Sequence, residues 1–132
     1  MSFARARLLD VPVAESRIPG ALERVIAAGI TWNSARRGSF GALRVRHFGA
    51  YPLIEDNSTR AESATILNAD VGMRLFQGVK LQATVLNLLG SRAADIQYLY
   101  ASRLRGEAVG VSDVHLHPVE PRQLRLSLSW VN

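Results

Sequence analysis

From Thr65 the chain reads Thr-Ile-Leu-Asn-Ala-Asp-Val-Gly-Met-Arg-Leu. In an extended backbone this puts Leu67, Ala69, Val71, Met73 and Leu75 on one side and Asn68, Asp70, Gly72 and Arg74 on the other. Successive side chains of a strand point to opposite faces, so this spelling yields one apolar and one polar surface only as a strand. After the break Phe76-Gln77-Gly78 the alternation resumes, with Val79, Leu81, Ala83 and Val85 opposed to Lys80, Gln82 and Thr84. Two strands joined by so short a turn form an antiparallel hairpin. The C-terminus repeats the pattern, setting Leu124, Leu126, Leu128 and Trp130 against Gln123, Arg125, Ser127 and Ser129.

Two further strands follow from the same rule. Leu43 and Val45 alternate with Arg44 and Arg46 between Ala42 and Phe48, and Ala4, Ala6 and Leu8 alternate with Phe3, Arg5 and Arg7. The segment Leu22 to Trp32 has two readings. Leu22, Val25, Ile26 and Ile30 match helical spacing, whereas the breaker Ile18-Pro19-Gly20 before it and the turn-like Asn33 to Gly38 after it favour a strand over Arg24 to Trp32.

Connection lengths order these strands. The links Asn33 to Gly38 and Phe76 to Gly78 are short, while Leu9 to Ala21, Tyr51 to Ala64 and Tyr100 to Glu120 are long. Long and short alternate. The expectation is an all-β, antiparallel up-and-down meander of about six strands, with its long loops at one end and its tight turns at the other. This is the layout of an outer-membrane barrel. A soluble sandwich hides its apolar face under a second sheet, but these strands leave nothing over to cover one, and a wall facing lipid needs no cover.

Composition narrows the chemistry. The 132 residues are at most one ordinary domain, and a hydrophobic fraction of 48% is too high for a disordered chain. The absence of cysteine excludes disulfides, thiolate metal sites and cysteine nucleophiles. The apolar stretches Val25 to Trp32 and Leu81 to Leu89 fall far short of the roughly 18–20 residues of a spanning helix, and the start Met1-Ser-Phe-Ala-Arg-Ala-Arg does not read as a secretory signal. Fifteen of the sixteen basic residues are arginine, dispersed from Arg5 to Arg125 with no run longer than Arg36-Arg37. Dispersed charge without a basic patch speaks against a nucleic-acid partner.

Particular wording in the second half goes further: Asn68-Ala-Asp-Val-Gly-Met-Arg-Leu-Phe76, Val85-Leu-Asn-Leu-Leu-Gly90, Asp95-Ile-Gln-Tyr-Leu-Tyr-Ala-Ser-Arg-Leu104, and His117-Pro-Val-Glu-Pro-Arg122 before the final strand. In this order the chain resembles the C-terminal end of TonB-dependent outer-membrane receptors, and the likeness extends more loosely to Arg44-Val-Arg-His-Phe-Gly-Ala-Tyr51. The resemblance implies a segment of a barrel of about 22 strands whose lumen holds a plug and which imports a scarce ligand such as an iron chelate or cobalamin. Residues 1–132 would be its C-terminal part, in the outer membrane, with the plug and remaining strands upstream of Met1, and not competent for transport alone. The partners implied are membrane lipid, an energy-transducing inner-membrane protein reached through the absent N-terminal region, and the barrel assembly machinery. That machinery would read Leu124, Leu126, Leu128 and Trp130. Two positions depart from the family: Asn132 stands where members end in an aromatic residue, and Arg105 where many carry proline.

On this reading Asn68, Asp70, Arg74, Lys80, Gln82 and Thr84 face the lumen, and Arg44, Arg46, Asp70, Arg74 and Arg125 form a charged ladder there. Tyr98, Tyr100 and Arg103 meet the ligand from an extracellular loop, with an aromatic girdle at the outer interface as the competing role for the tyrosines. In Asp113-Val-His-Leu-His117 the three polar side chains project to one side and suit a zinc ion, though a water-facing strand boundary accounts for them without one, and the expectation is no metal. His47 lies on the apolar parity of its strand, as an interfacial or rim residue. The motifs Gly-x-Ser-x-Gly, Gly-x-Gly-x-x-Gly and His-Glu-x-x-His are absent, as is a phosphate loop, so neither an enzyme nor a cofactor is expected. The alternative is a small soluble all-β binding module that self-associates through its apolar face, because open edges would otherwise invite aggregation.

Overall fold

The computed structural model describes residues 2–4, 6–35 and 38–130. In chain order the strands are β1 (Ser2–Phe3), β2 (Arg24–Ser34), β3 (Ser39–Phe48), β4 (Tyr51–Pro52), β5 (Arg60–Ala61), β6 (Ala64–Phe76), β7 (Val79–Leu86), β8 (Ala94–Ser102), β9 (Val111–Pro118) and β10 (Gln123–Trp130). The described helical structure is a single 3₁₀ turn at Val13–Glu15. A six-stranded antiparallel sheet runs β1-β2-β3-β6-β7-β10, and the pairs β4-β5 and β8-β9 stand apart from it. The meander is therefore present as expected. The sheet is open, with β1 and β10 at its two edges.

Register follows the alternation. Ala69 faces Val85 across β6 and β7, and Val85 in turn faces Leu124 on β10, so the apolar parities of three strands fall on one side. Leu43 faces Ala69, and Ile30 faces Leu43, which extends that side through β3 and β2. The ambiguous segment is a strand over Arg24–Ser34, because each of its residues from Val25 finds a partner on β3. The tight turn keeps Gln77 and Gly78 outside the ladder, where Gly78 takes the left-handed backbone (φ +78°) that costs glycine nothing. A bulge between Arg74 and Phe76 moves Leu75 out of register.

Two expectations are corrected. The predicted N-terminal strand over Phe3 to Leu8 shrinks to Ser2–Phe3, followed by an isolated bridge from Arg7 to Arg17. Its partner β2 starts at Arg24, just after the corner at Pro19-Gly20 (Gly20 φ +76°), so the ladder of β1 with β2 ends there and Arg7 meets Arg17 on the other side of the corner. The long connection from Tyr100 to Glu120 is not a plain loop: it lies within the β8-β9 hairpin and the link that follows. Arg5 and the Arg36-Arg37 part of the first short turn lie outside the described residues, as does the terminal position Asn132.

All long connections leave one end of the sheet. Phe48 pairs with Ala64 and Leu86 with Gln123, so the segments they bridge, carrying β4-β5 and β8-β9, rise from the same side. The buried apolar cluster lies there too. Tyr51, Leu53 and Ala61 pack with Leu99 and Val114, joining the two hairpins to each other. Burial pushes the Tyr51 phenol above its ordinary value, against a hydrogen bond to the Gln97 backbone that works the other way. By contrast the strands of the main sheet bury only Ala42 and Ala64 among their described apolar residues.

Candidate functional site: two opposed faces and a loop rim

The sheet carries its chemistry on its faces. Rows of directly opposed residues cross five strands on the apolar side: Ile30, Leu43, Ala69, Val85 and Leu124 in one, and Trp32, Gly41, Val71, Ala83 and Leu126 in the next. Most of the larger side chains of these rows are open to the surroundings. Ile30 is 63% exposed, Leu126 69% and Leu128 70%. The accessible surface of the chain is 9860 Å², against about 6,900 Å² for a folded soluble monomer of this mass. The surplus is what an uncovered sheet leaves. Soluble monomers rarely expose an apolar patch beyond a few hundred Å².

Aromatic side chains mark the short-turn end of this face. Trp130 opposes Val79, which opposes Phe76, and Trp32 lies over Gly41. A Cβ on Gly41 would fall 1.9 Å from the Trp32 ring, so only glycine lets the indole lie flat across the strand. The opposite face repeats the device, since a Cβ on Gly72 would fall 2.2 Å from the Phe40 ring. No spacing rule announced either pair, because the aromatic residue and its glycine sit on different strands.

On the polar face the expected residues share one side. Asp70 accepts from Thr84 Oγ1 at 2.7 Å and from Arg44 Nη1 at 2.5 Å. Asn68 Oδ1 accepts the Asn87 backbone N–H at 3.0 Å, and the Lys80 ammonium stands 4.2 Å over the Phe40 ring. Gln82 opposes Gly72, and Arg74 opposes Lys80. The charged ladder reduces to the Arg44–Asp70 pair: Arg125 turns to Glu120 at 3.8 Å, while Arg46 and Arg74 form no ion pair among the described residues.

Asn68, Asn87, Gly90, Glu120 and Arg122 meet at one corner. Asn87, at φ +49° and 3% exposed, donates from Nδ2 to the carbonyls of Ser91 and Glu120 and accepts the Ser91 N–H. Gly90, at φ +65°, lies under the Arg122 guanidinium, whose Nη2 would be 2.8 Å from a Cβ there. The corner thus fixes where the chain leaves β7 and where it returns to β10.

Tyr98 and Tyr100 lie on the outward side of the β8-β9 hairpin, 58% and 51% exposed, opposite the side that carries Leu99 and Val114 into the buried cluster. They belong to the hairpin and not to the six-stranded sheet. Tyr100 stacks on His115 with ring centroids 3.9 Å apart. Arg103 is held apart from them at the tip, its Nε donating to the Glu107 carbonyl. The three polar side chains of the histidine segment go separate ways. Asp113 caps the Val114 N–H, His115 stacks on Tyr100, and His117 Nδ1 pairs with Asp95 at 2.9 Å. No group of three metal-ligating side chains occurs among the described residues. His47 meets Thr65 Oγ1 at 2.9 Å on the apolar side, near the long-loop end.

One cluster went unseen in the sequence. Arg17 and Arg60 both reach the Glu23 carboxylate, and Arg24 lies 5.5 Å from the Phe3 ring. The participants come from separate connections, so no local motif could have shown it. Comparison with family models, curated proteins and solved structures finds no match to this chain.

Proposed function

We propose that this chain is a wall segment of an outer-membrane β-barrel, the C-terminal part of a TonB-dependent receptor. The observation that carries the reading is the apolar face: continuous across five strands, uncovered, edged with aromatics at the short-turn end and backed by a polar face. A bilayer is the solvent in which such a face is stable, because it exchanges apolar surface for lipid while every strand keeps its backbone paired. The open edges at β1 and β10 would then pair with further strands of the same barrel, since an unpaired edge inside hydrocarbon is costly.

Within that role Asn68, Asp70, Arg74, Lys80, Gln82 and Thr84 line the lumen, and Leu124, Leu126, Leu128 and Trp130 present the pattern that assembly machinery reads. Tyr98 and Tyr100 with the stacked His115 offer an aromatic surface to a ligand on the long-loop side. Energy transfer would run through the plug and inner-membrane partner that the family supplies, and the segment itself performs no catalysis.

Arginine scanning in lipid tests the reading. Val71→Arg and Leu126→Arg, mid-strand on the apolar face, should each cost about 2–4 kcal/mol and Leu81→Arg, one row from the aromatic edge, less than these, whereas Gln82→Arg on the polar face should cost no more than about 0.5 kcal/mol. Urea unfolding from vesicles reads both. Equal tolerance on the two faces, or a chain that stays in water without detergent as a defined dimer, would contradict the reading and favour a soluble module that covers its own apolar face.

A further inference from the structure

Arg17, Glu23, Arg24 and Arg60 surround a cavity of about 660 Å³ that Phe3 and Gly49 also line. Two guanidinium groups share one carboxylate, and a third lines the same cavity without joining them. Arg17 and Arg60 take the two oxygens of Glu23, and Arg60 also donates to the Ala50 carbonyl at 2.9 Å, so both are held in place. Arg24 forms no ion pair among the described residues and stacks over Phe3 instead. The cavity therefore carries an excess of positive charge with one guanidinium fork unspent.

Its position selects the anion. Arg24 shares the parity of Ile26, Ala28 and Ile30, and Phe3 stands directly opposite it on β1. Gly49 has the outward parity of His47, and a Cβ there would fall 3.0 Å from the Arg24 Cβ, so a side chain would crowd the cavity wall. The basic cluster thus begins where the apolar face ends, at the long-loop end of the sheet. Phe3, 63% exposed, continues the apolar surface up to it. A planar guanidinium matches a phosphate group with two parallel hydrogen bonds.

We propose that this cavity binds the phosphate of an anionic lipid headgroup whose acyl chains lie on the apolar face below, an inference that rests on the membrane-wall reading. The test reconstitutes the full barrel that contains this chain in phosphatidylcholine vesicles and compares spin-labelled phosphatidic acid with spin-labelled phosphatidylcholine at the protein surface. A preference of about fivefold for phosphatidic acid is expected from one arginine near an anionic group. Arg24→Gln should bring it close to parity, while Arg44→Gln, on the opposite face, should leave it unchanged, and millimolar inorganic phosphate should not abolish it. Preference surviving Arg24→Gln, or lost equally with Arg44→Gln, would overturn the site. Loss to inorganic phosphate would make it a site for free oxyanions and overturn the lipid assignment. Flotation with the vesicles is read in the same samples: insertion without preference removes this proposal alone, and failure to insert removes it together with the membrane wall.

Discussion

Asn87 joins three segments with one side chain. Its amide holds the Ser91 and Glu120 backbones while its own N–H is taken by Asn68, and its left-handed φ of +49° turns the chain out of β7. Asn87→Ala removes the side-chain bonds to the half-buried Ser91 and the exposed Glu120 carbonyls, which should cost about 1–2 kcal/mol in urea unfolding. Asn87→Gly relieves the backbone but not the lost bonds, so it should recover only part of that. Gly41 makes the complementary case. Gly41→Ala puts a methyl into the Trp32 ring and should destabilise by about 1–3 kcal/mol, with a shift in Trp32 fluorescence as the indole is displaced. Position 87 was visible in the sequence as part of the corner wording, but its partners at Ser91 and Glu120 were not. Position 41 carried no mark, since its constraint comes from a ring on the neighbouring strand.

At the scale of elements, β6, β7 and β10 were legible because a strand with two unlike surroundings must alternate with period two, and those three strands do so over most of their length. The β2 segment was equivocal in isolation, and ten cross-strand pairs with β3 decide it. The hairpin β8-β9 was hidden for a physical reason. Its outward side carries Ile96, Tyr98 and Tyr100 and its inward side Leu99 and Val114, so apolar residues fall on both parities. The inward set docks on Tyr51, Leu53 and Ala61, and among the described residues this cluster includes none from the six-stranded sheet. Leu99→Ala should therefore cost about 2–4 kcal/mol of local protection, seen as faster amide exchange in β8 and β9 with β6 and β7 unaffected. Equal acceleration in all four strands would mean the loop hairpins and the sheet open together.

For the whole molecule the deciding quantity is surface. The chain exposes 9860 Å², and one face of its sheet is apolar across five strands. Either lipid or another protein surface must meet it, and the two differ in what surrounds each residue. The chain has no cysteine, so single cysteines can be placed without background. The most direct measurement is a nitroxide scan along β6 in lipid vesicles, from Leu67→Cys through Arg74→Cys, recording the accessibility of each label to oxygen dissolved in the bilayer and to an aqueous nickel chelate. A wall in lipid predicts period two, with labels at 67, 69, 71 and 73 reached by oxygen and those at 68, 70 and 74 by the chelate, position 72 being kept as glycine because the Phe40 ring lies over it. Labels at 67 through 73 on the apolar parity that are shielded from both reagents, or reached by the chelate, would contradict the membrane wall.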